Sequence, residues 1–346
     1  MSVFSRVFQK LVVRSGAKTP SLDRMLALFD QELDHFQQLV LPTPESKPRT
    51  PFESTNVPFE KMSMANMTVQ QMLSILPVML PMQLKMRQAA KLYDGKFKAT
   101  HSEASTEFFA QLEEIGYRAG ATQIKYIRVP HYAIFKDKGI PHEFAILISV
   151  EMNKENISTA PSFAAFKEVA KGYKNLAEIS LKMAGFMRRS GFAAYPGTPL
   201  GGLTDYTHLG ELAGMGAIGY HGMLITPREG TRLRINTIYT NIQNLPVNLE
   251  SENEHLWIRD FCARCKKCIR GCPVKAIFDE PQARGDGGMQ CIDHSTCRDY
   301  FNTNFGCAIC LAECPFSQVG YETIQSRFKS KTATPQFRIP VERINQ

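Results

Sequence analysis

Apolar and polar positions alternate along this chain with two periods, and the change from one to the other lays out its middle. From Ser105 to Arg118 the apolar residues Phe108, Leu112, Ile115 and Tyr117 recur at helical spacing, and Gly120 supplies a stop. Gln123 to Val129 and Glu143 to Met152 are rich in β-branched and aromatic residues and predict strands, as does the alternation of Leu233 to Thr240. Pro161 is placed to open a long helix as a first-turn proline. Phe163, Phe166, Val169, Tyr173, Leu176, Met183 and Met187 form its apolar stripe. A helix, two strands, a long helix and a later strand imply an α+β sandwich and not a run of βαβ units.

The first hundred residues are less regular. Residues 1–20 contain Arg6, Lys10, Arg14 and Lys18 and no acid. On a helix Arg6, Lys10 and Arg14 share one face, and Val3, Phe4, Val7, Phe8, Leu11 and Val12 share another. Such a segment suits peripheral contact with a membrane or packing on its own domain. Pro42, Pro44, Pro48, Pro51 and Pro58 mark an extended connector from Leu41 to Pro58. Met62 to Met86 is rich in methionine, whose adaptable thioether suits either a helical hairpin over the core or the lining of a pocket. Its most apolar part, Met72 to Met82, is interrupted by Pro77 and Pro81 and is too short to span a membrane.

Glycine is concentrated between Gly201 and Arg234. Gly214-Met-Gly216-Ala-Ile-Gly219 spells GxGxxG, but that fingerprint requires a strand before it and a helix after it. Here Thr207 to Ala213 reads as helical and Met223 to Thr226 as extended, so the order is inverted and a dinucleotide site is not expected. The glycines instead bring backbone close to something large, such as a flat ligand whose polar edge takes the free N–H groups.

All nine cysteines lie between Cys262 and Cys314. Cys262, Cys265, Cys268 and Cys272 form the C-x2-C-x2-C-x3-C-P run of a bacterial-type ferredoxin, in which the first three thiolates share one iron-sulfur cube and the fourth ligates the other. The second run, Cys307, Cys310 and Cys314 before Pro315, lacks its leading member, because Asn304 stands where that cysteine belongs. Cys291 or Cys297 must substitute. We assign Cys262, Cys265, Cys268 and Cys314 to one [4Fe-4S] cluster and Cys272, Cys297, Cys307 and Cys310 to the other, with Cys291 spare. Paired C-x2-C motifs also hold zinc, but a zinc site needs only four ligands and neither the third step nor the C-P exits. A disulfide framework belongs to small secreted domains, and 346 residues with 43% hydrophobic content can bury a sizeable core. Free thiols, no secretory signal and no spanning run lead to the expectation of a cytoplasmic protein. A net charge of +8 is compatible with tRNA, an anionic membrane surface or an acidic electron donor.

The glycine stretch from Ala213 to Arg234, followed by the first cysteine run, by Cys297-Arg-Asp-Tyr-Phe and by Gly306 to Ser317, resembles the family of epoxyqueuosine reductases and reductive dehalogenases. The likeness spans roughly Ala160 to Ser317, and its isolated cysteine ahead of the second run supports Cys297 over Cys291. It implies a nitroreductase-like sandwich that binds cobalamin without a side-chain ligand on the lower face of cobalt, followed by a two-cluster ferredoxin-like module. Electrons from reduced ferredoxin or flavodoxin would pass through the clusters to cobalt and on to a small-molecule substrate, or to epoxyqueuosine in tRNA. The corrin would rest on Gly214, Gly216, Gly219, His221, Gly222, Leu224 and Thr226. A tyrosine or aspartate beside it supplies a proton, and Tyr206, then Asp205, hold a similar position. The expected units are residues 1–100, a helical and extended segment; 101–250, the cobalamin domain; 251–325, the cluster domain; and 326–346, a tail. An electron-transfer protein or corrinoid reductase without a substrate of its own is the alternative.

Overall fold

The computed structural model describes residues 33–49, 57–198, 202–247 and 253–329. The amphipathic segment of residues 1–20, part of the proline-rich connector and most of the expected tail lie outside them. Its elements, in chain order, are α1 (Val69–Ala90), α2 (Thr106–Arg118), β1 (Gln123–Arg128), β2 (Phe144–Glu151), α3 (Lys154–Ser158), α4 (Phe163–Arg189), β3 (Ala194–Pro196), α5 (Tyr206–Leu212), β4 (Ala217–Ile218), β5 (Leu224–Ile225) and β6 (Leu233–Thr240). The cysteine region adds α6 (Trp257–Cys265), α7 (Lys267–Gly271), β7 (Ile277–Ala283), β8 (Met289–Ile292), α8 (His294–Thr303), α9 (Ile309–Ala312), α10 (Pro315–Gln318) and α11 (Tyr321–Lys329).

An antiparallel sheet of order β1-β2-β6-β3 forms the centre. Alternation along β2 sorts its residues between two cores. Ile146, Ile148 and Val150 pack with Leu112, Leu176, Ile179 and Met183 beneath α2 and α4. Ala145 and Leu147 face the other way, onto Tyr93, Tyr195, Leu209, Met215 and Tyr239. The strand expected over Leu233–Thr240 spans those same residues. Pro161, by contrast, does not open the long helix. Ser162 is its N-cap, with Oγ accepting from the Ala165 N–H at 3.1 Å, and the helix starts at Phe163.

The methionine-rich stretch is not a hairpin. Thr68 and Gln71 form a capping box, and α1 then runs through both Pro77 and Pro81 without turning back. Each interior proline costs about 3 kcal/mol. Ile75, Val78, Met82 and Met86 are buried against Phe163, Phe166, Ala170 and Tyr173 of α4, at roughly 1.5–3 kcal/mol each, which offsets that cost. The opposite face leaves Leu73, Leu76, Leu80 and Leu84 exposed.

A third core joins the glycine stretch to the cysteine region. Ala217, Tyr220 and Ile225 pack with Ile258, Cys262, Cys268, Cys314, Phe316 and Tyr321. Among the described residues no helix is long and apolar enough to cross a membrane.

Candidate functional site

The chain turns sharply wherever a cysteine must change direction. Lys266 is left-handed, with φ of 46°, and breaks α6 from α7 so that Cys262, Cys265 and Cys268 curve round one point. Cys314 caps α10 and Pro315 follows it at the first helical position. These four cysteines line one small cavity together with His221, Phe261 and Phe316. Near Cys307 the backbone is left-handed at four successive residues, Phe305, Gly306, Cys307 and Ala308. Three of the four are not glycine, and such conformations persist only where the surroundings hold them.

The thiols report which cysteines are neighbours. Burial pushes Cys268 up to about 11 and Cys314 up to about 12, and Cys265 adds to both. Burial likewise pushes Cys297 up to about 11, with Cys307 and Cys272 adding to it, and Cys310 is raised by burial and then by Cys307, Cys297, Cys268 and Cys314, so it borders both sets. Thiols crowded in this way resist ionisation until a cation shares their charge, which is the behaviour of a metal-binding donor set. Among the described residues no three His, Cys, Asp or Glu side chains converge as they do around a single ion. One tetrahedral zinc would hold its sulfurs far closer together than a four-iron cube does. Cys291 is not in the lining of the first group's cavity, although Cys268 is among the charges that raise it. It is buried on β8, and its Sγ approaches the Gly219 carbonyl at 3.7 Å.

The glycines of the preceding stretch have unequal surroundings. Gly214, at φ of 68°, has nothing within 4 Å of where a side chain would start. Gly216 lies against the Ile225 backbone, Gly219 against Ile225 and His221, and Gly222 against Cys291. Leu224 is in the core with Leu209 and Met215, and the Thr226 hydroxyl is bonded to Glu229 within its own turn. Any ligand contact at Leu224 or Thr226 would therefore be through backbone. His221 is 3% exposed, and its ring lies beside Gly219. Its Nδ1 accepts from the Met223 N–H at 3.1 Å, Nε2 has no partner, and burial pushes the ring down to about 4, so it is neutral.

Tyr206 and Asp205, adjacent in sequence, are in opposite protonation states. The Tyr206 hydroxyl donates to the Thr198 carbonyl at 3.0 Å, and burial, reinforced by Tyr239, raises it well above the ordinary phenol range. It keeps its proton. A side chain at Gly197 would run into this hydroxyl, Thr237 Oγ1 and Asn236 Oδ1, so the three oxygens converge on one point. Burial alone would raise Asp205, but the Lys47 ammonium, His208 and the Thr207 hydroxyl outweigh it and hold the carboxyl well below the carboxylate range. Arg284, from the β7–β8 hairpin, adds a second cation at 3.3 Å while forking onto Asp286 at 2.9 Å.

Lys47, His208, Thr237, Arg284 and Asp286 carry no motif and were not found by reading the sequence. His208, two residues beyond Tyr206 on α5, does not share its helix face, so spacing gave no signal either. It is 3% exposed with both ring nitrogens unpartnered, and Asn236 Oδ1 is also without a hydrogen-bond partner, whereas the Thr237 hydroxyl is within reach of Tyr206 and Tyr239. A ligand edge carrying both donors and acceptors, as the amide fringe of a corrin does, has the chemistry that these unpartnered atoms lack.

No protein-family model matches the chain. The tetrachloroethene reductive dehalogenase of Dehalobacter restrictus is 32% identical over 201 residues, covering 54% of this chain and 34% of that protein. The epoxyqueuosine reductase of Francisella cf. novicida is 30% identical over 134 residues, covering 36% of this chain and 35% of the relative. The chain thus spans about a third of the length of these curated relatives. A solved reductive dehalogenase, described with a mechanism for B12-dependent dehalogenation, superposes at a TM-score of 0.61 over 86% of this chain and 46% of the other, with 19% identity. At that identity the likeness is one of fold, a mixed helix and sheet architecture. Over its aligned part the chain is a homologue of the reductive dehalogenases and epoxyqueuosine reductases, two groups of oxidoreductases.

Proposed function

We propose that this chain is a reductase that carries two [4Fe-4S] clusters and passes their electrons to a corrinoid and on to a small organic substrate. The observation that carries the reading is the small cavity lined by Cys262, Cys265, Cys268 and Cys314, with Cys272 and Cys307 neighbouring Cys297. Cys262, Cys265, Cys268 and Cys314 would hold the first cluster, in the core shared with the glycine stretch, and Cys272, Cys297, Cys307 and Cys310 the second. When bound, the clusters supply single electrons and the corrinoid supplies the reducing centre. Phe261 and Phe316 keep water from the first group of thiolates. The Gly214 backbone and the side chains of His208, Asn236 and Thr237 would take the polar edge of the corrin.

Tyr206 is the proton donor in this reading, because its hydroxyl bears a proton and Asp205 does not. Asp205 instead ties Lys47 and, through Arg284, the β7–β8 hairpin to the start of α5. A halogenated substrate is favoured by the relatives named for tetrachloroethene, which align over more of the chain than those named for epoxyqueuosine. The cluster cysteines and the corrin side would form separate units joined near residue 251.

One observation favours a second reading, an electron-transfer protein without a corrinoid of its own. Gly216, Gly219 and Gly222 are covered by Ile225, His221 and Cys291, so the chain itself accounts for most of the glycine pattern. Anaerobic reconstitution with iron, sulfide and cobalamin separates the two. We expect about eight irons and one cobalt per chain. Eight irons without cobalt transfers the case to the second reading, and salt-dependent binding of a tRNA anticodon stem would move the substrate to the epoxyqueuosine branch.

A further inference from the structure

We propose that His221 donates its Nε2–H to the sulfur shell of the cluster held by Cys262, Cys265, Cys268 and Cys314, and so raises that cluster's reduction potential. The inference rests on the two-cluster reading and reassigns His221 from the corrin to the cluster. The chain fixes the tautomer itself: the Met223 N–H occupies Nδ1, so the ring proton must be on Nε2. That nitrogen belongs to a residue 3% exposed and has no partner among the described residues, and a buried donor left unpaired is destabilising. The ring borders the cavity that the four cysteines enclose, and the rest of the rim is Phe261, Lys266, Pro315 and Phe316. Among the side chains on that rim, the cysteine sulfurs are the ones that can accept from the orphaned N–H, since the aromatic rings, the lysine ammonium and the proline ring offer no acceptor.

The direction of the effect follows from charge. Reduction adds an electron to an anionic cluster, and a donor aimed at its sulfur stabilises the more negative state more than the less negative one. His221 is thus a positioning residue for electron transfer, on the side of the cluster that faces the glycine stretch.

The test compares wild type, His221→Phe, which keeps a ring without the donor, and His221→Gln, which restores an N–H. Iron content and an EPR-monitored redox titration are measured on each. With about eight irons retained in all three, His221→Phe is expected to change the reduction equilibrium of one cluster about tenfold, about 59 mV more negative for a one-electron couple. The other cluster stays unmoved, and His221→Gln recovers part of the shift. Equal potentials in wild type and His221→Phe overturn the proposal and leave His221 as packing. Should the variants lose iron, pulsed EPR on reduced wild type with 15N-labelled histidine decides. A nitrogen coupling to one cluster supports the hydrogen bond, and its absence removes it. Wild type holding about four irons or fewer would instead count against the two-cluster reading.

Discussion

Cys297→Ala should halve the iron that the reconstituted protein holds, from about eight atoms per chain to about four, while Cys291→Ala leaves it unchanged. The two residues are six positions apart on the same segment, yet β8 and α8 send them in opposite directions. Asp293 caps α8 by accepting from the Ser295 and Thr296 N–H groups at 2.9 and 3.4 Å, and the helix then presents Cys297 beside Cys307 and Cys272. Cys291 packs on the far side, with its Sγ against Gly219 and Gly222. Loss of one thiolate from a cube leaves one iron open to solvent and oxygen, so the deficit should appear as a whole cluster and not as a single iron. Full iron in Cys297→Ala together with half in Cys291→Ala would reverse the assignment.

Breaking the Arg284 network is expected to cost nearly as much as a large core deletion. Arg284→Met leaves Asp286, which is 4% exposed, without its cation and removes one of the two cations from Asp205, at about 3 kcal/mol by analogy with other buried pairs. The urea midpoint of the anaerobic protein is the measurement. Asp205→Asn provides the sign test. The folded carboxyl is held below its unfolded value near 3.9, so its contribution is complete above about pH 4 and is lost as pH falls from there. The stability difference between wild type and Asp205→Asn should therefore be flat between pH 8 and 5. A proton-donating carboxyl would have a raised value instead, and the difference would slope within that same range. A slope would return Asp205 to the role now given to Tyr206.

What could be read in the chain beforehand depended on how local the cause was. The strand Leu233–Thr240 and the helix ending at Arg118 were legible because alternation and spacing act within one element. The start of the long helix was misread because Ser162 offers a capping oxygen that a proline at position 161 only imitates. The run of α1 through Pro77 and Pro81 could not be read at all, since what offsets the prolines is the surface of α4 almost a hundred residues away. The same division holds at the site. That Cys262, Cys265, Cys268 and Cys314 line one cavity agrees with what the C-x2-C steps and C-P exits imply. The Asp205 clamp could not be read this way, because Arg284 is 79 positions further on and Lys47 belongs to the proline-rich connector.

The core that Ala217, Tyr220 and Ile225 share with Cys262, Cys268 and Cys314 also bears on how fast charge can move. Units joined by a thin polar contact drift against one another, whereas a packed apolar seam holds them in place. Electron tunnelling weakens exponentially with distance, and along this seam van der Waals contact sets the distance from the first cysteine group to the glycine turn. The rate across it would then be governed by driving force, with no hinge to wait for.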